Sequence, residues 1–231
     1  MRFEISEGVA GRFPGVRIGV VVALGLRLNL DKGLAMAFVE RAEEEVGARL
    51  AQGGVSAVSA VQVWRGTYRL FGASPSKKSS LEALLDVLAE RGRLPRISPL
   101  VDVYNAFSVK HSFPMAAYDM DRVQGTVELR FSRKGEEFTP IGARQVEKTS
   151  AGEVVYADEH KVICRRWNNR DCDQTKITDS TENAVFFIDA VPEASEGLDG
   201  LLRELTCEVA SLWGSRPTLG VANGENRTIV L

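Results

Sequence analysis

Two stretches of this 231-residue chain concentrate side chains that could do chemistry. The first is SPLVDVYNAFSVKHSFPMAAYD, residues 98–119, in which Asp102, Asn105, Ser108 and His111 recur at i, i+3, i+6 and i+9. On a helix that spacing lays a carboxylate, an amide, a hydroxyl and an imidazole along one stripe of an otherwise apolar element. The same stripe is equally compatible with a solvent face, His111 being favoured near a helix C-terminus by the macrodipole. The second stretch is CRRWNNRDCDQTKIT, residues 164–178. There Arg165, Arg166 and Arg170 flank Trp167, and Asn168-Asn169 tolerate left-handed backbone that turns N–H groups toward a ligand. Tryptophan beside arginine offers stacking and charge together, which suits an amino-acid side chain or an unpaired base. The competing reading is an Arg–Asp network that pins the loop.

Other chemistries find little support. His160, Cys164 and Cys172 are spaced H-x3-C-x7-C without the paired ligands of a structural zinc site, so no metal is expected, and His160 fits a hairpin turn, ADEHK. No P-loop, G-x-G-x-x-G or G-x-S-x-G is present, so no cofactor is expected either. Three cysteines do not make a disulfide framework; Cys164 falls in an alternating strand and Cys207 on the apolar face of a last helix, both expected in the core. The first residues, MRFEISEG, lack the apolar run of a leader, and the apolar stretch IGVVVALGL is far short of the roughly 20 residues of a membrane span. A cytoplasmic protein with reduced thiols and no membrane partner is expected.

A net charge of −2 argues against nonspecific binding of nucleic acid, and no DNA partner is expected. The charge is uneven, however. Residues 65–96 carry seven basic side chains against three acidic, and residues 182–208 seven acidic against one basic. Lys77, Lys78, Arg93 and Arg96 are the candidate phosphate-contacting residues should the partner be RNA.

Periodicity supplies the elements that must position these groups. Val16–Leu26 is Val/Ile-rich and reads as a central strand. Gly33–Ala51 has apolar residues every fourth position and reads as an amphipathic helix, and Val58–Phe71 as a second. Ser79-Ser80-Leu81-Glu82 is a capping box opening a helix to Arg91, closed by Gly92. The run LVDVYNAFSV is helical; Thr126–Ser132, Glu153–Asp158, Val162–Arg166 and Ala184–Val191 are strand patterns. Ser195 is placed to cap a last helix ending near Trp213, and Thr228–Leu231 to add an edge strand. With no linker or repeat, the expectation is one α+β domain over residues 1–231, with a mixed or antiparallel sheet flanked by helices.

The two chemical stretches also carry a resemblance. SPLVDVYNAFSVKHSFPMAAYDMDRVQG resembles the signature region of the B3/B4 domain of the phenylalanyl-tRNA synthetase beta subunit, approximately S-x-x-V-D-x-x-N-Y-x-x-x-x-x-x-Q-P-x-H-A-F-D. Val101, Asp102, Asn105, Pro114, Ala117, Tyr118 and Asp119 fall on that pattern. EFTPIGAR and the segment from EVVYADEHK to AVFFIDA are similar to the family's next stretch, a strand pair, a loop and a T-x-x-T lead-in. The resemblance covers about residues 64–192, and the first 60 residues look like the N-terminal extension of free-standing members. In the synthetase this domain hydrolyses tyrosine wrongly attached to the phenylalanine tRNA. The family's histidine before Ala-Phe-Asp is Ala116 here, and its Gly-Gly loop is replaced by Asn168-Asn169.

The resemblance implies a free-standing domain hydrolysing mischarged aminoacyl-tRNA in trans, or a noncatalytic module binding tRNA or an amino acid; nothing resembles an aminoacylation core. It implies catalytic roles for His111, Asn105 and Asp171. It also implies substrate contacts by Asp102, Ser108, Arg165, Arg166, Trp167, Asn168, Asn169, Arg170 and Thr175, all around one pocket. A pocket alone rejects a near-isostere poorly, which is the physical reason for a second, hydrolytic sieve.

Overall fold

The computed structural model describes residues 1–231. In chain order the elements are β1 (Arg2–Ile5), α1 (Glu7–Arg12), β2 (Arg17–Ala23), α2 (Lys32–Gly53), α3 (Ser59–Leu70), α4 (Ser80–Arg91), α5 (Pro99–His111), β3 (Met115–Asp119) and β4 (Thr126–Phe131). Next come β5 (Glu137–Phe138), β6 (Glu147–Lys148), β7 (Val154–Ala157), β8 (Val162–Arg165), β9 (Arg170–Asp171), β10 (Ala184–Ala190), α6 (Leu198–Trp213), β11 (Thr218–Asn223) and β12 (Thr228–Val230). The α+β class expected from the periodicity is the one observed.

The strands form two main sheets. One has the order β12-β1-β4-β7-β8-β9, antiparallel except for the parallel β1–β4 pair. The other, β11-β2-β10-β3, is antiparallel throughout. Period-2 alternation then fixes the layers. Ile18, Val20 and Val22 of β2, with Val185 and Phe187 of β10, join Phe3, Ile5, Val127 and Leu129 of the first sheet in one core between the sheets. The intervening residues Val21, Ala23, Phe186 and Ile188 join the apolar faces of α2, α5 and α6 in a second core. α6 packs tightly over Gly19: a Cβ there would meet Leu202 Cδ2 at 2.7 Å, so any larger residue would push the Leu202 side chain aside.

Several local expectations hold in atomic detail. The Ser79 hydroxyl accepts from the Glu82 N–H at the start of α4, and Gly92 ends that helix in left-handed backbone. Others need correction. The cap of α6 is Gly197, not Ser195, whose hydroxyl instead closes the Pro192 turn by donating to the Pro192 carbonyl at 3.0 Å. Cys207 is exposed rather than buried, because α6 turns Leu201, Leu202, Leu205, Val209 and Leu212 to the core instead. No helix is long and apolar enough to cross a membrane.

Phe187 sits between the sheets with its ring 5.1 Å from Phe3 and 5.0 Å from Tyr156. Phe187→Ala should therefore destabilise the fold by about 3–5 kcal/mol in urea denaturation. A loss below about 1 kcal/mol would mean that the sheets do not close on this ring.

Candidate functional site

Strand β8 ends at Arg165, and the next two residues, Arg166 and Trp167, take the left-handed region with φ of 50° and 66°. Two successive non-glycine residues there cost about 1–2 kcal/mol each. They persist because Trp167 enters the core: it is 0% exposed, 4.9 Å from Phe13 and edge-on to Trp64 at 5.2 Å. Arg165, also buried, donates through Nε and Nη2 to both Glu153 oxygens at 2.9 and 2.6 Å and through Nη1 to Glu147 at 2.8 Å. Burial pushes the Glu153 carboxyl up, but the Arg165 bonds and the Ser150 N–H outweigh it and hold the group below its ordinary range. The loop is then stitched to α4: the Asn168 carbonyl accepts from Ser80 N–H at 2.9 Å, and the Asn169 amide donates to the Lys78 carbonyl at 2.6 Å.

That anchoring brings Asp171, in β9 at the end of the first sheet, against β3, the last strand of the second. Tyr118 Oη of β3 donates to Asp171 Oδ1 at 2.6 Å. Burial raises the Asp171 carboxyl above its ordinary value, with the Tyr118 hydrogen bond opposing the shift. The Cys164 thiol, opposite Asp171 in register, is raised by burial and by the neighbouring carboxylate. Burial and the Asp171 charge also raise the Tyr104 phenol on α5. Beside this pair, Thr181 donates to Asp119 Oδ2 at 2.8 Å while its hydroxyl accepts from Thr178 N–H. The two chemical stretches of the sequence thus meet through Tyr118–Asp171, with Thr181, three residues past the second stretch, bonded to Asp119.

A sequence model of the B3/4 domain matches residues 63–196, more than half of the chain. The chain belongs to the B3/4 domain family. Among curated proteins it is similar to phenylalanine–tRNA ligase beta subunits. That of Fusobacterium nucleatum subsp. nucleatum is 29% identical over 145 residues, which are 61% of this chain and 18% of the relative. That of Francisella tularensis is 33% identical over 111 residues, 46% of this chain and 13% of the relative. This B3/4 protein therefore spans less than a fifth of the length of these relatives. Among solved structures, an N-terminal fragment of the phenylalanyl-tRNA synthetase beta subunit from Pyrococcus horikoshii aligns at a TM-score of 0.46 and 10% identity, over 93% of this chain and 49% of the fragment.

The polar stripe on α5 does not converge on the Asp171 edge as a unit. Asp102 Oδ1 accepts from Ile97 N–H at 2.7 Å and closes the turn entering the helix; burial raises its carboxyl. Ser108 donates to the Phe113 carbonyl at 2.6 Å and closes the turn leaving it. His111 stacks on Phe107 at 5.7 Å and lies 3.2 Å from Glu204 of α6, with burial holding its imidazole below the ordinary value. Two of these contacts close the turns flanking α5 and the third reaches α6, so the expected grouping of His111 with residues 165–171 is not what the fold builds. Asn105 is buried on the stripe between Asp102 and Ser108.

Within the loop, Trp167 is sealed from any ligand, and Thr175 is buried against Cys172 Sγ at 3.1 Å. Arg170 is exposed and pairs with Glu147 at 2.9 Å. The pinning network is real, but its acids are glutamates. Two of the candidate phosphate-contacting residues are also occupied: Lys78 by Asp86 at 2.6 Å, and Arg96 by both oxygens of Glu43. Lys77 and Arg93 are exposed and free of ion pairs.

Asp189 of β10 is not among the expected site residues, yet its carboxyl is strongly perturbed. It is 2% exposed, bonded by the Tyr156 hydroxyl and by Asn168 Nδ2 at 2.9 Å, and burial pushes its pKa up to about 6 despite these donors. Because the folded state binds this proton more tightly than the unfolded chain, Asp189 lowers stability progressively as pH rises from about 4 to about 6. Relative to Asp189→Asn, the native protein should lose on the order of 3 kcal/mol across that window in denaturant titrations. Parallel pH profiles for the two proteins would contradict the placement.

Proposed function

We propose that this B3/4 domain hydrolyses the ester of a mischarged aminoacyl-tRNA supplied in trans, with Asp171 and Tyr118 at the reacting end. The observation that carries the reading is the Tyr118–Asp171 hydrogen bond, 2.6 Å long, which joins the last strand of the second sheet to the last strand of the first where the two family segments meet. An aminoacyl ester is already activated, so the chemistry needs a positioned water and a base close to neutral pH. Burial raises the Asp171 carboxyl toward that range while Tyr118 occupies Oδ1 and fixes its orientation. Oδ2 takes a proton from water, the new C–O bond forms at the ester carbonyl, and the ester C–O bond breaks. The proton passes to the leaving ribose oxygen, giving free amino acid and uncharged tRNA. The tRNA partner is drawn from the relatives, which are tRNA ligase subunits by name.

A second reading, binding of the aminoacyl end without hydrolysis, is favoured by Ala116, which stands in β3 where the resembling family carries histidine. A panel of misacylated tRNAs separates the two. Deacylation by the native protein should fall about 100-fold or more in Asp171→Asn. Its rate should rise with pH through a carboxyl shifted above the usual aspartate range. Tyr118→Phe should lower this pKa-dependent limb's amplitude while leaving tRNA affinity unchanged. Tight binding of aminoacyl-tRNA with no turnover in any member of the panel would establish the noncatalytic reading instead.

A further inference from the structure

Beside the loop that buries Trp167 lie two adjoining clefts of about 270 and 220 Å3, which share Ala73, Ser74 and Lys77 as a common wall. Arg166, Glu153 and Phe71 line the first, and Arg65, Arg69 and Tyr68 the second. The charges there are not balanced. Both Glu153 oxygens are taken by Arg165, and Arg65 is bound by both oxygens of Glu82. Arg69, Lys77 and Arg166 remain, none within ion-pair distance of a carboxylate. Arg166 is the telling member. It is half-buried, its one side-chain hydrogen bond is a long 3.4 Å to Asn169 Oδ1, and burial together with Arg165 depresses its guanidinium. Glu153 and Glu147 act on Arg166 only from beyond ion-pair distance and are bonded by Arg165, so they do not fully offset its burial, and an anion from outside the chain would.

We infer that Arg69, Lys77 and Arg166 form a continuous groove that binds consecutive phosphodiesters of single-stranded RNA. Three cations tracking one groove suit one backbone, and the partly exposed Phe71 in the groove wall supplies a π-face on which an unpaired base can stack. The loop carrying Arg166 runs on to Asp171 within five residues, so the groove and the β3 edge are ends of one anchored segment. The inference deepens the tRNA reading: it assigns the backbone contacts to residues that the local charge excess alone does not single out.

The test is fluorescence anisotropy of a labelled 12-nucleotide single-stranded RNA and of an RNA duplex, titrated at 50 to 200 mM salt. Three phosphates neutralised on a single strand give a slope of about −2 in log affinity against log salt, a loss of roughly 20-fold over that range. Arg69→Ala/Lys77→Ala, at two exposed positions that leave the core untouched, should reduce this to about threefold and weaken binding at 50 mM salt. Arg166→Gln should act in the same direction, and Lys134→Ala/Arg144→Ala, at exposed positions elsewhere, should change nothing. Native affinity and slope in the double variant overturn the groove, as does duplex bound as tightly as single strand. Binding of inorganic phosphate without binding of RNA overturns it in favour of a small-phosphate site. The double variant also separates the two proposals. Deacylation of tRNA at native KM in that variant removes the groove and leaves the hydrolase. RNA bound through the groove with no deacylation does the reverse.

Discussion

Burial of the Trp167 indole is the contact on which the rest of this molecule's chemistry-bearing face depends. The chain accepts two successive left-handed residues, at about 1–2 kcal/mol each, to insert a ring whose removal from a core costs about 3–5 kcal/mol. The insertion wins, and it sets the positions of the neighbouring side chains. Arg165 is drawn inside and must find Glu153 and Glu147; Arg166 is left half-buried in the cleft wall, with no carboxylate at ion-pair distance. Asn168 and Asn169 are carried against the start of α4, and Asp171 against Tyr118.

Pairing divides the basic residues into two populations. Arg65, Lys78, Arg96 and Arg165 each meet a carboxylate at 2.6–2.8 Å and hold elements together. Arg69, Lys77, Arg93 and Arg166 do not, and three of these four converge on one groove. A charge excess along the sequence cannot make this distinction, because the compensating acids come from positions up to 53 residues away, as Glu43 does for Arg96.

The sequence was most legible where local rules decide. The four-residue apolar spacing of α2, the Ser79–Glu82 cap and the Val/Ile run of β2 each reproduce closely. Strand β3, buried on both faces, shows no alternation to betray it, and β1, at four residues, is too short to stand out. The site was legible as two segments but not as contacts. Arginine flanking Trp167 looks like a recognition surface in one dimension; only the left-handed turn at Arg166 and Trp167, set by Phe13 and Trp64 from distant elements, sends the indole inward. Asp189 was invisible for the same reason: its partners Tyr156 and Asn168 lie on other strands and loops.

Tryptophan fluorescence tests the central claim directly. All three tryptophans, Trp64, Trp167 and Trp213, are at most 1% exposed. Iodide quenching of the native protein should therefore find no accessible component, and adding single-stranded RNA should change neither the emission maximum nor the quenching. A fraction of about one third quenched by iodide and protected by RNA would put Trp167 at the ligand surface and contradict the account.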